Sequence, residues 1–380
     1  MDKPLAGLKV LELARILAGP WAGQLLADLG AEVVKVERAG AGDDTRQWGP
    51  PFAEDGAAAY FHACNRGKSS IAVDFDARHD LERVRSLASE ADVIVENFKV
   101  DGLKRFGLDY DSVRAANPGV IYCSITGFGQ DGPYAARAGY DFIIQGMGGL
   151  MSLTGESDGS PQKVGVAYAD IFTGVYSAVA ILAALHERDR TGEGAHIDMA
   201  LLDTQVAVLG NQALNWLVSG EVPRRMGNGH ANLVPYQAFR AKDGEVIVAV
   251  GNDRQFERLC AILGLDGLAA DERFRTNPGR VTNRDALIPI LGEAIAARGR
   301  AELSQTLDRA GIPAGPINDI AQVFDDPQVR HRGLKLDFDG SPGLASPIVI
   351  DGKRQVSDRP SPLMPTDSDP ATAPTPPSFS

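Results

Sequence analysis

The strongest constraint on the fold is an alternation of strand-like and helical segments over the first 125 residues. Residues 20–29 and 81–90 have helical character, and Pro20 and Gly30 mark the start and end of the first helix. Strands separated by helices favour a parallel sheet with helices on both faces, so the sequence predicts an α/β fold. The predicted strands occupy residues 8–13, 32–37, 70–75, 92–96 and 120–125.

The rest of the chain changes character twice. Residues 171–185 are uncharged and residues 195–218 are largely apolar, and both segments are predicted to be helical. A turn at 242–244 between two strand-like runs predicts a hairpin within a smaller α+β domain. We therefore place the domains at 1–224 and 225–330, followed by a strand-containing segment at 331–357 and a Pro-rich tail at 358–380, for which no regular structure is expected.

Composition limits the classes of partner. The net charge of −12 argues against a nucleic-acid-binding protein, which would normally carry a basic face. No uncharged apolar run reaches the roughly 18 residues expected of a membrane span, so no membrane association is predicted. Cys64, Cys123 and Cys260 are far apart and have no metal-ligand spacing. The sequence therefore predicts a cytoplasmic protein with buried thiols and no metal site.

A glycine pattern at 127–132 matches the dinucleotide fingerprint G-x-G-x-x-G. That fingerprint should open a helix in the first βαβ unit, whereas here it follows the last predicted strand and precedes Pro133. We therefore expect either a tight loop over a ligand or simply a turn at this position, and no NAD site.

Asp170 precedes the long apolar helix, and two interpretations of it remain open. An aspartate before a helix usually caps the first backbone amides. A carboxylate at a helix N-terminus in an apolar setting is also a candidate nucleophile, because the helix dipole favours its ionised form.

Two further groups of residues have both a structural and a functional interpretation. Cations near the strand ends are either ordinary surface charges or partners for an anionic ligand at the carboxyl edge of the sheet. The loop Gly227, Asn228, Gly229 and His230 is either a flexible connection or a lid that excludes water from a reactive intermediate. The cations in question are Lys35, Arg38, Arg66, Lys68, Lys99, Lys104, Arg105 and Arg137.

Several short motifs follow one another along the chain. They are LELARILAGP at 11–20, VKVER at 34–38, GDDTR at 42–46, NRGKS at 65–69, ENF at 96–98, TGFG at 126–129, GPY at 132–134 and TGEG at 191–194. Taken together, these motifs resemble the class III CoA transferases, the CaiB/BaiF or formyl-CoA transferase family. The resemblance extends in order along the chain to about residue 355.

This resemblance implies a fold and a site. The fold is an open Rossmann-like domain built from both ends of the chain, so that 331–357 returns to it, a smaller α+β domain, and an interlocked-ring homodimer. Asp170 falls at the family's nucleophile, and Gly227 to His230 fall at the loop that shields the acyl intermediate. Coenzyme A is the implied substrate, and the implied CoA-contacting positions are Leu17, Ala18, Arg38, Val73, Asp74, Phe75, Asn97, Phe98, Lys99, Arg105, Arg137 and Tyr140.

The sequence departs from the formyl-CoA branch at Leu17, where those enzymes have a glutamine that contacts the reacting carboxyl group. The run VPYQAF at 234–239 instead resembles the dicarboxylate branch, which implies succinyl-CoA as donor and a dicarboxylate as acceptor. Two alternatives stay open. An α-methylacyl-CoA racemase would need a histidine where Tyr140 stands, and a non-catalytic CoA-binding protein would not need Asp170.

Overall fold

A parallel sheet forms the centre of the first part of the chain. The computed structural model describes residues 3–365 and residue 379. All five pairings in the sheet are parallel, and the strand order is β3-β2-β1-β4-β5-β6, as in doubly wound dinucleotide-binding folds. The strands are β1 Lys9–Glu12, β2 Glu32–Arg38, β3 Ser69–Val73, β4 Val93–Glu96, β5 Ile121–Thr126 and β6 Ala195–Ala200.

The predicted strands are confirmed to within a few residues, but the helical prediction for 195–218 is wrong in its first part. Ala195–Ala200 forms β6, which pairs with β5 and extends the sheet by one strand. The sequence AHIDMA places polar His196 and Asp198 between apolar neighbours, which is the period of two expected for a strand. The apolar content of the longer segment concealed this alternation.

Helices cover both faces of the sheet, as predicted, and each face has its own core. Residues of α3 and α4, including Val84, Leu87 and Val113, pack on one face. Residues of α1 and α7, including Leu26 and Ile181, pack on the other. The helices of the described chain are α1 Ala18–Asp28, α2 Ala59–His62, α3 Arg78–Glu90, α4 Tyr110–Ala116, α5 Asp141–Met147, α6 Leu150–Leu153, α7 Tyr168–Thr191, α8 Leu201–Ala207, α9 Asn211–Ser219, α10 Asp253–Leu263, α11 Asp266–Ala270, α12 Asn277–Thr282, α13 Arg284–Ala296, α14 Arg300–Arg309, α15 Ile320–Asp325 and α16 Pro327–His331.

Helix α7 is long and apolar enough, by length and composition, to cross a membrane. The core helix of a soluble fold meets the same criteria, and α7 packs closely on α1. A Cβ built on Gly174 would lie 2.7 Å from the carbonyl oxygen of Ala18, so only glycine allows this approach. The spacing between α7 and α1 is therefore set by a close approach to the backbone of α1.

The described residues form two compact units. The first takes its residues from Met1–Leu150, Lys163–Gly210 and Pro327–Ser380, and the second from Met151–Gln162 and Asn211–Asp326. The second unit has its own core, in which Phe256 and Leu291 are fully buried, beside a three-stranded antiparallel sheet. Its strands are β7 Tyr236–Ala241, β8 Gly244–Ala249 and β9 Ala314–Pro316. The hairpin predicted around residues 242–244 is confirmed by the β7–β8 pair.

The chain after Pro327 forms two small antiparallel pairs within the first unit. The amide of Ser357 donates to Asp28 at 2.8 Å, and that of Gly67 donates to the carbonyl of Arg359 at 3.1 Å. Residues 366–378 of the predicted Pro-rich tail lie outside the described residues. The strands are β10 Lys335–Phe338, β11 Ser341–Leu344, β12 Val349–Ile350 and β13 Lys353–Arg354.

Candidate active site

Asp170 is the third residue of α7, because the helix begins at Tyr168, three residues earlier than predicted. The residue at the N-cap position, Ala167, has no side-chain cap. The cap comes instead from another helix. The Asp141 carboxylate accepts hydrogen bonds from the amides of Ala169 at 2.8 Å and Asp170 at 3.4 Å. The capping role considered for Asp170 is thus performed by Asp141, and none of the described residues hydrogen-bonds to the Asp170 carboxylate.

A buried glutamine holds Asp141 in place. Gln145, one turn along α5, donates from Nε2 to the second Asp141 oxygen at 2.7 Å. Its Oε1 accepts from the amide of Val164 at 2.9 Å, in the segment that leads into α7. The side chains of α5 therefore fix both the approach to α7 and its first turn.

The surroundings of Asp170 favour its protonated form. Burial is the larger cause and the charge of Asp141 the smaller, and together they raise the pKa of Asp170 to about 7. Tyr60 lies in the same environment, since burial and then the charge of Asp170 raise the pKa of its phenol to about 12. Tyr60 also packs edge-on against Trp48, with ring centroids 5.2 Å apart. No sequence pattern singles out Tyr60 or Gln145, because their proximity to Asp170 arises only from the tertiary fold.

Leu17 and Ala18 lie at the start of α1, where a buried ionic cluster fixes the backbone. Leu17 occupies the N-cap position and Ala18 is the first helical residue. Lys35 donates to the carbonyl oxygen of Ala14 at 2.8 Å, and Lys68 donates to that of Pro20 at 2.8 Å. Both ammonium groups also contact the buried carboxylate of Glu12.

These contacts correct part of the predicted cation cluster. Lys35 and Lys68 are buried and held by Glu12, and Arg66 is buried and paired with Asp28. A buried charge with a protein partner is costly to separate from it, so these three residues shape the fold and are not available to an incoming phosphate.

Several of the CoA-contacting positions implied by the resemblance come together at the carboxyl ends of β3 and β4. The Phe75 ring lies 4.9 Å from that of Phe106 and 6.1 Å from that of Phe98. The Arg105 guanidinium lies 4.4 Å above the Phe106 ring. Val73 is buried beneath them in the core of this face. Phe106 is itself buried in that core, so the half-buried rings of Phe75 and Phe98 and the exposed Arg105 are the groups that could meet a flat base and a phosphate.

The remaining positions are distributed around the sheet edge. Asp74 accepts from the amide of Asp76 at 3.0 Å in the turn after β3. Lys99 lines a small pocket of about 170 Å³ together with Glu96 and His196. Arg38 ends β2, and the side chain of Asn97, after β4, is bonded to the backbone of Arg15.

Arg137 and Tyr140 precede α5. The Arg137 guanidinium lies 4.5 Å from the Tyr134 ring and 5.1 Å from the Phe128 ring. Tyr140 is the N-cap residue of α5 and is 58% exposed. Tyr140 directly precedes Asp141, the residue whose carboxylate caps the helix that carries Asp170.

The loop Gly227, Asn228, Gly229 and His230 belongs to the second unit. Gly227 has φ 54°, and its amide donates to the carbonyl of Gly155 at 3.1 Å. The amide of His230 donates to the carbonyl of Tyr236 at 3.0 Å, and its Nδ1 accepts from the amide of Asn232 at 3.0 Å. The loop is thus tied to its own unit at both ends, and its role as a lid stays a prediction.

Comparisons with known proteins agree on one family. The model of CoA-transferase family III matches residues 5–368. A succinate–glutarate CoA-transferase of Agrobacterium fabrum is 54% identical over 371 residues, covering 95% of this chain and 93% of that protein. A succinyl-CoA:glutarate CoA-transferase of Homo sapiens is 44% identical over 367 residues, covering 95% of this chain and 84% of that protein.

A solved structure agrees with them. The crystal structure of a CaiB/BaiF family protein from Brucella suis has a TM-score of 0.85 and 58% identity, and the match covers 95% of this chain and 96% of that one. The similarity extends over nearly the whole length of both chains, so it concerns the complete fold. The chain belongs to CoA-transferase family III, the CaiB/BaiF family, and is a CoA transferase.

Proposed function

We propose that this enzyme moves CoA from succinyl-CoA to a free dicarboxylate, with glutarate as the first acceptor to test. The printed activities of the relatives from Agrobacterium fabrum and Homo sapiens support this pair of acids. Leu17 at the start of α1 agrees with it, because an aliphatic side chain suits the methylene groups of such an acid better than it suits oxalate.

Asp170 is the proposed nucleophile, and its carboxylate attacks the thioester carbonyl of the donor. The products of this step are a mixed anhydride on Asp170 and the CoA thiolate. The thiolate then attacks the aspartyl carbonyl, which gives an aspartyl-CoA thioester and releases succinate. The incoming carboxylate attacks that thioester, which gives a second mixed anhydride on Asp170 and frees the CoA thiolate. The thiolate attacks the carbonyl of the new acyl group, which gives the new acyl-CoA and releases the Asp170 carboxylate. Each step exchanges one activated acyl group for another, so no net proton is consumed.

The observation that carries this proposal is the division of roles between Asp141 and Asp170. Asp141 satisfies the first amides of α7, and Asp170 stands within the same turn without being the cap. Burial raises the pKa of Asp170, so its ionised form is poorly solvated and correspondingly reactive toward a carbonyl carbon.

The half-buried rings of Phe75 and Phe98, together with the exposed Arg105, are the proposed site for the adenine and a phosphate of CoA. An adenine can stack on a phenylalanine ring, and a guanidinium can donate a charge-assisted hydrogen bond to a phosphate. Arg38, at the end of β2, is the proposed second phosphate contact.

The test combines transfer with detection of the intermediate. Purified enzyme is mixed with succinyl-CoA and glutarate without ATP, and glutaryl-CoA is followed by mass spectrometry. Enzyme incubated with succinyl-CoA alone should carry a CoA adduct on the peptide that contains Asp170. Transfer that persists in Asp170→Ala would exclude the aspartyl mechanism, and a wild-type enzyme inactive with every dicarboxylate would exclude the proposed substrates.

We also propose that two copies form the interlocked homodimer of the family. Helix α7 exposes an apolar row that consists of Val175, Tyr176, Val179 and Leu182, and such a surface usually marks a contact with another chain. Within the second unit, α9 exposes Leu214, Trp216, Leu217 and Val218. Sedimentation of the full chain, under conditions in which it stays folded, should show a dimer that does not dissociate on dilution. A monomer at nanomolar concentration would contradict the interlocked arrangement.

A cytoplasmic location is proposed as well. Cys64, Cys123 and Cys260 are buried free thiols, as is usual in a reducing compartment. Cell fractionation with an antibody against the chain tests this location.

A further inference from the structure

Arg15 has an exposed guanidinium on a backbone that is held unusually tightly. Asn97 accepts from the amide of Arg15 at 3.0 Å and donates to its carbonyl at 2.7 Å. The side chain of Arg15 is 60% exposed, and its Nη1 lies 2.8 Å from Asp44. A surface arginine does not normally need a fixed backbone, so this arrangement needs an explanation.

The next residue adds to this restraint. Ile16 has φ 73°, in the left-handed region that a β-branched residue seldom adopts. Its amide donates to Asp43 at 3.2 Å, and its carbonyl faces the buried thiol of Cys64 at 3.6 Å. Strained backbone of this kind persists where the surrounding contacts determine it, and it is concentrated at ligand sites. The backbone therefore changes direction at Ile16, between Arg15 and Leu17.

The location of Arg15 is also informative. The strand order reverses between β1 and β4, and ligands of open parallel sheets bind at the carboxyl edge of that switch point. Arg15 follows β1 and Asn97 follows β4, so the contact between these two residues spans the switch point.

The charge balance leaves room for an anion. Asp44 is shared between Arg15 and Arg38, whose Nη2 lies 3.4 Å from the other carboxylate oxygen. Two guanidinium groups therefore face one carboxylate, and both are well exposed. Exposed ion pairs are weak, so an incoming anion can replace Asp44 as a partner at small cost.

We propose that Arg15 binds an anionic oxygen group of the substrate, next to Arg38 with its proposed CoA phosphate. Two groups share this chemistry, the phosphates of CoA and the distal carboxylate of a dicarboxylate, and a planar guanidinium binds either in bidentate fashion. The second of these rests on the proposed dicarboxylate function, whereas the first requires only CoA.

Arg15→Gln tests the proposal, with Arg78→Gln as the matched control. Arg78 is another exposed arginine, 92% exposed and paired with Glu82 on α3.

Calorimetry measures the Kd for CoA and for dephospho-CoA, and steady-state kinetics measures the KM for glutarate. A tenfold or larger rise in the Kd for CoA assigns Arg15 to a phosphate, and the 3′-phosphate is identified if the Kd for dephospho-CoA does not change. An unchanged Kd with a tenfold or larger rise in KM assigns Arg15 to the carboxylate. Both values within twofold of wild type would overturn the proposal.

Asp44→Asn separates ligand binding from a structural ion pair. If Arg15 binds an anion, removal of the competing carboxylate leaves CoA and glutarate affinity unchanged or improves it. If Arg15 serves only to hold Asp44, Asp44→Asn should reproduce the losses of Arg15→Gln, and this result would reject the proposal. The wild-type transfer assay runs alongside, so a wrong acceptor is seen as inactive wild type and is not confused with a failure at Arg15.

Discussion

Asp141 and Asp170 belong to different helices, and the Asp141 carboxylate accepts a hydrogen bond from the backbone amide of Asp170 at 3.4 Å. The stronger bond, 2.8 Å, goes to the amide of Ala169. One acidic residue therefore caps the helix on which the other stands. Two carboxylates in one site disfavour joint ionisation. The charge of Asp141 therefore contributes to the raised pKa of Asp170, which is the reactive group in the proposed mechanism.

The first prediction concerns the pH dependence of transfer. Only ionised Asp170 can attack a thioester, and its pKa is raised to about 7. We therefore expect kcat/KM to rise with pH and to level off above an apparent pKa near 7, since this parameter reports the free enzyme. Steady-state rates between pH 5 and 9 measure the profile. A flat profile down to pH 5 would show that the nucleophile has an ordinary carboxylate pKa.

Asp141→Asn should move that profile to lower pH. The amide oxygen of asparagine can still accept from Ala169, while the negative charge that disfavours ionised Asp170 is gone. Because burial is the larger cause of the raised pKa, the midpoint should fall without reaching the ordinary value of 3.8. The same assay across pH checks it, with Asp141→Ala as the variant that loses both the charge and the cap. An unmoved midpoint in both variants would mean that Asp141 does not influence the charge of Asp170.

Replacing Asp170, the proposed nucleophile, should stabilise the fold above neutral pH. The pKa of Asp170 is higher in the folded protein than its ordinary value of 3.8, so ionisation disfavours the folded state. This penalty is absent below about pH 4, grows between pH 4 and 7, and is complete above pH 7. Asp170→Asn should therefore raise Tm more at pH 8 than at pH 5, with transfer abolished at both. Equal Tm changes at the two pH values would be inconsistent with a raised pKa.

Local patterns were sufficient for most of the fold. The alternation of short apolar runs with helical segments predicted five of the parallel strands, because each period reflects which side chains face the core. The sixth, β6, was missed because its alternation lies beside apolar helices and is only six residues long. The turn at 242–244 predicted the β7–β8 pair correctly, since hairpin turns depend on a few adjacent residues.

The site was predictable only in part. The assignments of Asp170 and of the implied CoA-contacting positions rest on ordered motifs and stay predictions. No spacing rule connects Asp141 with Ala169, which lie 28 residues apart and meet through the packing of two helices. The same limit applies to Lys35 and Lys68, which looked like surface cations near strand ends. Their burial against Glu12 depends on three neighbouring strands that converge on one buried carboxylate.

Arg105→Ala should weaken CoA binding. Loss of a charge-assisted hydrogen bond costs about 1.5–3 kcal/mol, which corresponds to roughly a ten- to hundredfold higher Kd. Arg78→Ala removes a comparably exposed arginine that is paired with Glu82, and it should leave the Kd within twofold. Isothermal titration of CoA into both variants gives the comparison. Equal affinities in the two variants would show that Arg105 does not belong to the proposed CoA site.

The last prediction concerns Gly174, which sets how closely α7 approaches α1. A Cβ at this position would lie 2.7 Å from the carbonyl oxygen of Ala18 and 2.8 Å from the Cβ of Trp21, so Gly174→Ala must displace one helix from the other. Overpacking of this kind costs about 1–3 kcal/mol of stability. Asp170 stands one turn away, so its carboxylate should also move relative to the start of α1, and misplacement by about 1 Å can lower a rate by roughly a hundredfold.

Gly292→Ala is the control, because Gly292 also lies within a helix but a Cβ there meets nothing within 4 Å. We expect Gly174→Ala to lower both Tm and kcat, and Gly292→Ala to keep kcat and to preserve or raise Tm. A Gly174→Ala enzyme with wild-type kcat would show that the spacing between α1 and α7 does not control the position of Asp170, the proposed nucleophile.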